Sequence, residues 1–112
     1  MFYTLKIKDK EYRCRLNAKA CVDLENKLGT NRLNMLIKIS NTNEVPNLST
    51  MIEIFHASLQ SAQHGLSLDK AYDIYDDYIE TGKTLVEFFS EVILGIFKSS
   101  GFFNDKQIEG KN

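Results

Sequence analysis

Residues 3–8, Tyr-Thr-Leu-Lys-Ile-Lys, alternate apolar with polar: Tyr3, Leu5 and Ile7 point one way, Thr4, Lys6 and Lys8 the other. Residues 11–16 repeat the alternation, with Tyr12, Cys14 and Leu16 set against Glu11, Arg13 and Arg15. A period of two is the signature of a half-buried strand. Asp9-Lys10 between the two runs is read as a two-residue turn, so residues 3–16 form a β-hairpin with one apolar and one basic face. A lone hairpin is marginal in water, so its apolar face must lie on helices.

From Asn17 the period changes to that of a helix. Asn17 caps a helix over 17–28, with Ala20, Cys21, Leu24 and Leu28 in one stripe and Gly29 ending it. A shorter helix is expected over 32–39, burying Leu33, Leu36 and Ile37, followed by a loop over 40–47 that holds the lone proline. A third helix, 48–64, places Leu48, Met51, Ile52, Phe55, Ser58, Leu59 and Ala62 on one face, and Gly65 closes it. Ser67 caps a fourth over 67–81. Thr84 and Glu87 make a capping box for a fifth over 84–99, whose apolar arc of Leu85, Val86, Phe88, Phe89, Val92, Ile93, Ile96 and Phe97 marks it as central to the core. The predicted fold is mainly α (α+β): a hairpin and about five helices in one domain over residues 1–103. The polar tail 104–112 is expected to be mobile.

Composition narrows the class. A chain of 112 residues, 43% hydrophobic and 26% charged, has the make-up of a single globular domain. No run approaches the roughly 18 apolar residues of a membrane helix. The charged N-terminal stretch has no signal-peptide pattern. Cys14 and Cys21 are too few for a disulfide framework and are read as reduced, intracellular thiols. Charge is unevenly spread: residues 1–40 carry nine Lys/Arg against four Asp/Glu, and residues 41–112 five against eleven. Such polarity suits oriented docking on a charged partner, or self-association through opposite ends.

Candidate chemistry is sparse. In residues 71–80, Ala-Tyr-Asp-Ile-Tyr-Asp-Asp-Tyr-Ile-Glu, the four carboxylates of Asp73, Asp76, Asp77 and Glu80 fall within about 100° of helical arc, opposite Ile74, Tyr75 and Tyr78. They form the wet face of an amphipathic helix. Hard-cation sites need ligands converging from several directions, and no metal site is expected. His56 and His64 lie about 12 Å apart along one helix axis, too far to share a metal. Neither has a nucleophile nearby in sequence, so no catalytic residue and no cofactor are assigned. The basic hairpin face could meet phosphates, but it does not interleave aromatics or glycine as nucleic-acid hairpins do. Leu94 falls among Glu87, Glu91 and Lys98, and Phe102 and Phe103 follow the last helix. These three are either a contact patch or, for the phenylalanines, a C-terminal staple. Gly95 interrupts a good helix at about 1 kcal/mol, a place for close packing.

The order of elements resembles the tail assembly chaperones of long-tailed phages, of prophages in Gram-positive bacteria and of gene-transfer-agent particles. Leu16, Ala20, Leu24, Glu25, Leu28 and Gly29 fill that family's Leu-x-x-x-Ala-x-x-x-Leu-Glu-x-x-Leu-Gly pattern after a basic hairpin. Residues 48–82 and 93–103 resemble its middle and its final helix. The resemblance implies a non-enzymatic protein of the host bacterial cytoplasm, absent from the finished virion. It would bind the tape-measure protein and recruit tail-tube subunits, with a longer frameshifted product common in the family. On that footing the expected contact residues are Asp73, Asp76, Asp77, Glu80, Leu94, Phe102 and Phe103. The alternative is a small nucleic-acid-binding regulator using the hairpin's basic face.

Overall fold

The computed structural model describes residues 1–29, 34, 42 and 44–102. Strands β1 (Tyr3–Ile7) and β2 (Lys10–Cys14) pair antiparallel, with Ile7 opposite Lys10 and Tyr3 opposite Cys14. The turn is therefore Lys8-Asp9, not the expected Asp9-Lys10, and Lys8 takes the left-handed conformation at φ 57°. The two registers differ by a slide that leaves every side chain on the same face, so alternation cannot tell them apart. Leu5, Ile7, Cys14 and Leu16 are buried as the pattern requires, while Thr4, Lys6, Glu11 and Arg13 face out.

Helix α1 (Ala18–Leu28) starts where Asn17 Oδ1 accepts the Ala20 amide at 2.9 Å, and it buries Ala20, Leu24 and Leu28. Gly29, at φ 85°, ends it in a conformation that a Cβ would strain. Residues 32, 33 and 35–39 of the expected second helix, residues 40, 41 and 43 of the expected loop, Phe103 and the 104–112 tail lie outside the described residues.

Helix α2 (Leu48–Leu59) is capped by Asn47 and stops short of the predicted His64. Two glutamine side chains fold back on the chain at this stop. Gln60 Nε2 donates to the carbonyls of His56 and Leu66 at 3.0 and 2.9 Å, and Gln63 Nε2 donates to that of Leu59 at 2.8 Å. The Gln60 side chain thus takes the His56 carbonyl in place of its own backbone amide, which turns to Ala57 at 3.4 Å, while the Leu59 carbonyl also accepts the Gln63 backbone amide at 2.8 Å. Ala62, beyond the stop, is exposed rather than buried, whereas Ile54 joins the core. Surrounded by α1, β2 and the two helices that follow, α2 is the centre of the domain.

Helix α3 (Leu68–Glu80) is capped by Ser67 and buries Ala71, Ile74, Tyr75 and Tyr78. Helix α4 covers 85–99 but is not uniform: an α turn (Leu85–Glu87) leads into a π-helical segment (Phe88–Ile93) and then an α segment (Leu94–Ser99). The capping box is present, with Thr84 and Glu87 each accepting the other's amide at 3.1 and 3.0 Å. The buried doublets Phe88/Phe89, Val92/Ile93 and Ile96/Phe97 recur every four residues. At 100° per residue such doublets drift by about 40° per repeat, and the wider π turn absorbs the drift. Val86 falls in the outer row with Ser90 and is 58% exposed, and Leu85 is 37% exposed, so neither joins the core as expected.

Phe88 is the hub. Its ring meets Phe55 of α2 and Tyr75 and Tyr78 of α3 edge-on, at centroid distances of 5.5, 4.9 and 5.4 Å. A Cβ on Gly95 would stand 2.6 Å from the Tyr3 ring, so the missing side chain is what lets the hairpin seat on α4. Among the described residues no helix is long and apolar enough to cross a membrane.

Candidate interaction surface

The carboxylates of α3 keep the face the spacing assigns them. Asp73, Asp76 and Glu80 are exposed and Asp77 half-buried, opposite Ile74, Tyr75 and Tyr78. The ion pairs among the described residues lie elsewhere, Lys6–Glu11, Lys27–Glu53 and Lys83 with Glu87 and Glu91. Three of the four stripe residues, Asp76, Asp77 and Glu80, crowd the C-terminal end of α3, whose last turn holds no basic residue. That is the negative end of the helix dipole, where anions are disfavoured. The stripe is thus electrostatically unsatisfied both by its neighbours and by its own helix.

A neighbouring cluster is satisfied. Tyr78 Oη donates to Glu91 Oε1 at 2.9 Å, and Lys83 Nζ reaches the same carboxylate at 3.2 Å. Burial and the adjacent carboxylate push the Tyr78 hydroxyl well above its ordinary range. The tyrosine's hydrogen bond, helped by Lys83, holds Glu91 below the usual carboxylate value. This pair clasps α3 to α4.

The hydrophobic candidates are drawn inward. Phe102 stacks on Phe97 at 4.9 Å and 19°, and its amide donates to the Phe97 carbonyl at 2.9 Å, so it serves as the C-terminal staple rather than an open contact. Leu94 is half-buried against the core instead of standing on the polar side. Ser100 Oγ accepts the Leu16 amide at 2.8 Å and closes the same corner. Leu94 and Phe102 therefore sit at the hairpin end of α4, apart from the acidic stripe in their contacts, and Phe103 is outside the described residues.

His56 and His64 both line a groove of about 590 Å³ between α1 and the end of α2, with Lys19, Asp23, Lys27 and Ser61. His56 Nε2 lies 2.9 Å from the Leu66 carbonyl, which can only accept, so that nitrogen carries the proton. Its Nδ1 and Ser61 Oγ are buried without a hydrogen-bond partner. No hydrogen bond joins the serine to the imidazole. Cys14 is sealed in the core, where burial pushes its thiol up to about 12, and Cys21 is raised by burial too. Among the described residues no three His, Cys, Asp or Glu side chains gather to hold a metal.

A profile of a family of unknown function, DUF6096, matches residues 2–111. The chain belongs to DUF6096. No curated protein and no solved structure matches it. In this DUF6096 member, sequence spacing located the acidic face. The α1–α2 groove was not foreseen, because its two walls come from helices far apart in the chain. The closeness of His64 to α1 depends on the early end of α2, and the glutamine side chains that fold back there leave no periodic trace.

Proposed function

We propose that this protein is a non-enzymatic tail assembly chaperone of a long-tailed phage or prophage, binding the tape-measure protein and recruiting tail-tube subunits in the cytoplasm of the host bacterium. The acidic stripe of α3 carries the reading. Asp73, Asp76, Asp77 and Glu80 form no ion pair among the described residues, and the last three crowd the negative end of their own helix's dipole. Charge held in that arrangement lowers stability, and a basic partner would offset it. A hairpin leading into α1, followed by α2, α3 and α4, is also the element order on which the resemblance rests. A tape measure is a long helix-prone chain with exposed apolar stripes. Its chaperone needs a charged, register-setting surface rather than an enclosed pocket.

The test is co-expression with the long coiled-coil-like protein that this reading expects to be encoded beside it. The tape measure should stay soluble and co-purify, and tail-tube protein should join the complex. Replacing the stripe with Asn and Gln (D73N, D76N, D77N, E80Q) should abolish co-purification while the isolated protein stays folded. Co-purification that survives the fourfold change removes the stripe from the interface. Failure of the native chain to hold the tape measure in solution removes the function.

A further inference from the structure

The two edges of the hairpin are treated differently. With a two-residue turn at Lys8-Asp9, Ile7/Lys10, Leu5/Tyr12 and Tyr3/Cys14 are the pairs that exchange ladder bonds. The residues between them, Thr4 and Lys6 on β1 and Glu11 and Arg13 on β2, turn their backbone groups outward. On the β2 side those groups are taken. The Gln63 amide accepts from the Arg13 N–H at 3.0 Å and donates to the Arg13 carbonyl at 2.9 Å, while the Arg15 N–H donates to the Ser58 carbonyl at 2.8 Å. The end of α2 acts there as a third strand. On the β1 side, the outward N–H and C=O of Thr4 and Lys6 meet no partner among the described residues.

What would fit this edge is set by its charge. Lys6, Lys8, Lys10 and Arg13 are exposed around it, against Asp9 and Glu11. A second copy pairing edge to edge would bring Lys6 and Lys8 against their own likeness, the arrangement by which lysine protects an edge from self-pairing. An extended segment with alternate carboxylates meets the same lysines favourably. Phe2, 40% exposed beside the Arg13 guanidinium at 6.0 Å, offers an apolar contact at the start of the row. We propose that β1 is a docking strand whose open edge at Thr4 and Lys6 takes up an acidic, extended segment of a partner protein by strand addition. The site does not depend on the chaperone reading, and it uses no residue of α3.

The probe is a labelled hexapeptide alternating glutamate and valine, titrated into the full chain. Amide exchange at Thr4 and Lys6 should slow on binding while that of Arg13, already paired, stays unchanged. Lys6→Pro removes an outward N–H without touching a ladder bond, and should weaken binding about tenfold or more, the effect of losing a hydrogen bond plus a charge. Lys6→Gln, which removes the charge together with its exposed ion pair to Glu11, should weaken it by about fivefold at most. The same peptide N-methylated throughout keeps its carboxylates but has no donors, and should not bind even if the proline variant proves unstable. The fourfold stripe variant should bind the peptide as the native chain does, which separates this outcome from the fate of the chaperone reading. Equal binding of the methylated peptide would reduce the site to electrostatics and overturn the proposal, as would no binding at all. Protection of Thr4 and Lys6 that grows with protein concentration in the absence of peptide would assign the edge to a second copy. A single-stranded oligonucleotide that outcompetes the peptide yet leaves both amides in fast exchange would assign the basic face to nucleic acid.

Discussion

Helices α3 and α4 are neighbours in sequence, both amphipathic, and they answer the same packing demand in opposite ways. In α3 the buried positions Ala71, Ile74, Tyr75 and Tyr78 follow the natural helical period, so the backbone stays regular and the carboxylates are left together on the far side. In α4 the buried doublets recur every four residues, and the backbone widens to a π turn to keep them on one face. One helix bends its geometry to serve the core and the other keeps its geometry and leaves charges over. Irregular backbone often marks a functional site, but here the π segment is explained by what Phe88 touches. The feature with no internal explanation is the regular helix's outer face.

The largest way to break the contrast is at Phe88. Because its ring joins α2, α3 and α4, Phe88→Ala should lower stability by about 3–5 kcal/mol in urea unfolding, as deep aromatic truncations do. A value near 1 kcal/mol would mean that the hub collapses easily and that the π segment is held by something else. Gly95→Ala sets two effects of opposite sign against each other. Helix propensity alone would add about 1 kcal/mol of stability. The new Cβ, 2.6 Å from Tyr3, forces the ring or the hairpin to shift, and overpacking of that kind typically costs about 1–3 kcal/mol. Net destabilisation is expected, and it should shrink or reverse in a Tyr3→Ala background, since the two residues are in contact.

This contrast also marks what was legible. The α3 stripe, the Asn17, Ser67 and Thr84 caps and the hairpin faces follow from local chemistry, and each stands where the spacing puts it. The π turn, the true end of α2 and the fate of Leu94 do not follow from local chemistry. Leu94 is read onto the polar side by counting 100° per residue, and the wider turn just before it invalidates that count. At the end of α2, Gln63 finds Arg13, fifty positions away in the chain, through a side-chain amide that imitates a strand. The turn at Lys8-Asp9 was hidden by parity. Likewise the open edge of β1 is visible only once the other edge is seen to be filled.

Smaller effects sharpen the boundary between the two helices. Tyr78→Phe removes the hydroxyl that donates to Glu91 and should cost about 1 kcal/mol at neutral pH. Its pH signature is more telling. Glu91's folded value is lowered, so its contribution is present above the unfolded carboxylate value of about 4.3 and is lost as pH falls through the folded one. Tyr78's folded value is raised, so its contribution is complete below about pH 10 and is lost as pH climbs beyond that. Urea midpoints measured from pH 3 to 11 should fall at both ends in the native chain and more gently at both ends in Tyr78→Phe. A variant that shifts the whole curve without flattening it would show that the hydroxyl contributes packing alone.

The smallest expected effect has the opposite sign. Asp73, Asp76, Asp77 and Glu80 repel one another at three- and four-residue spacings, each such pair costing a helix about 0.2–0.5 kcal/mol. The last three also face the negative end of the dipole. Replacing all four by Asn and Gln, residues of nearly the same helix propensity, should therefore raise stability by about 0.8 kcal/mol at low salt, the low end for the four pairs so spaced. The gain should fade as salt screens the native charges. A surface that is slightly harmful to its own fold, yet disposable for folding, is what a docking face requires. If the fourfold variant instead unfolds more easily, the carboxylates belong to the architecture of α3, and the partner assigned to them has no physical basis.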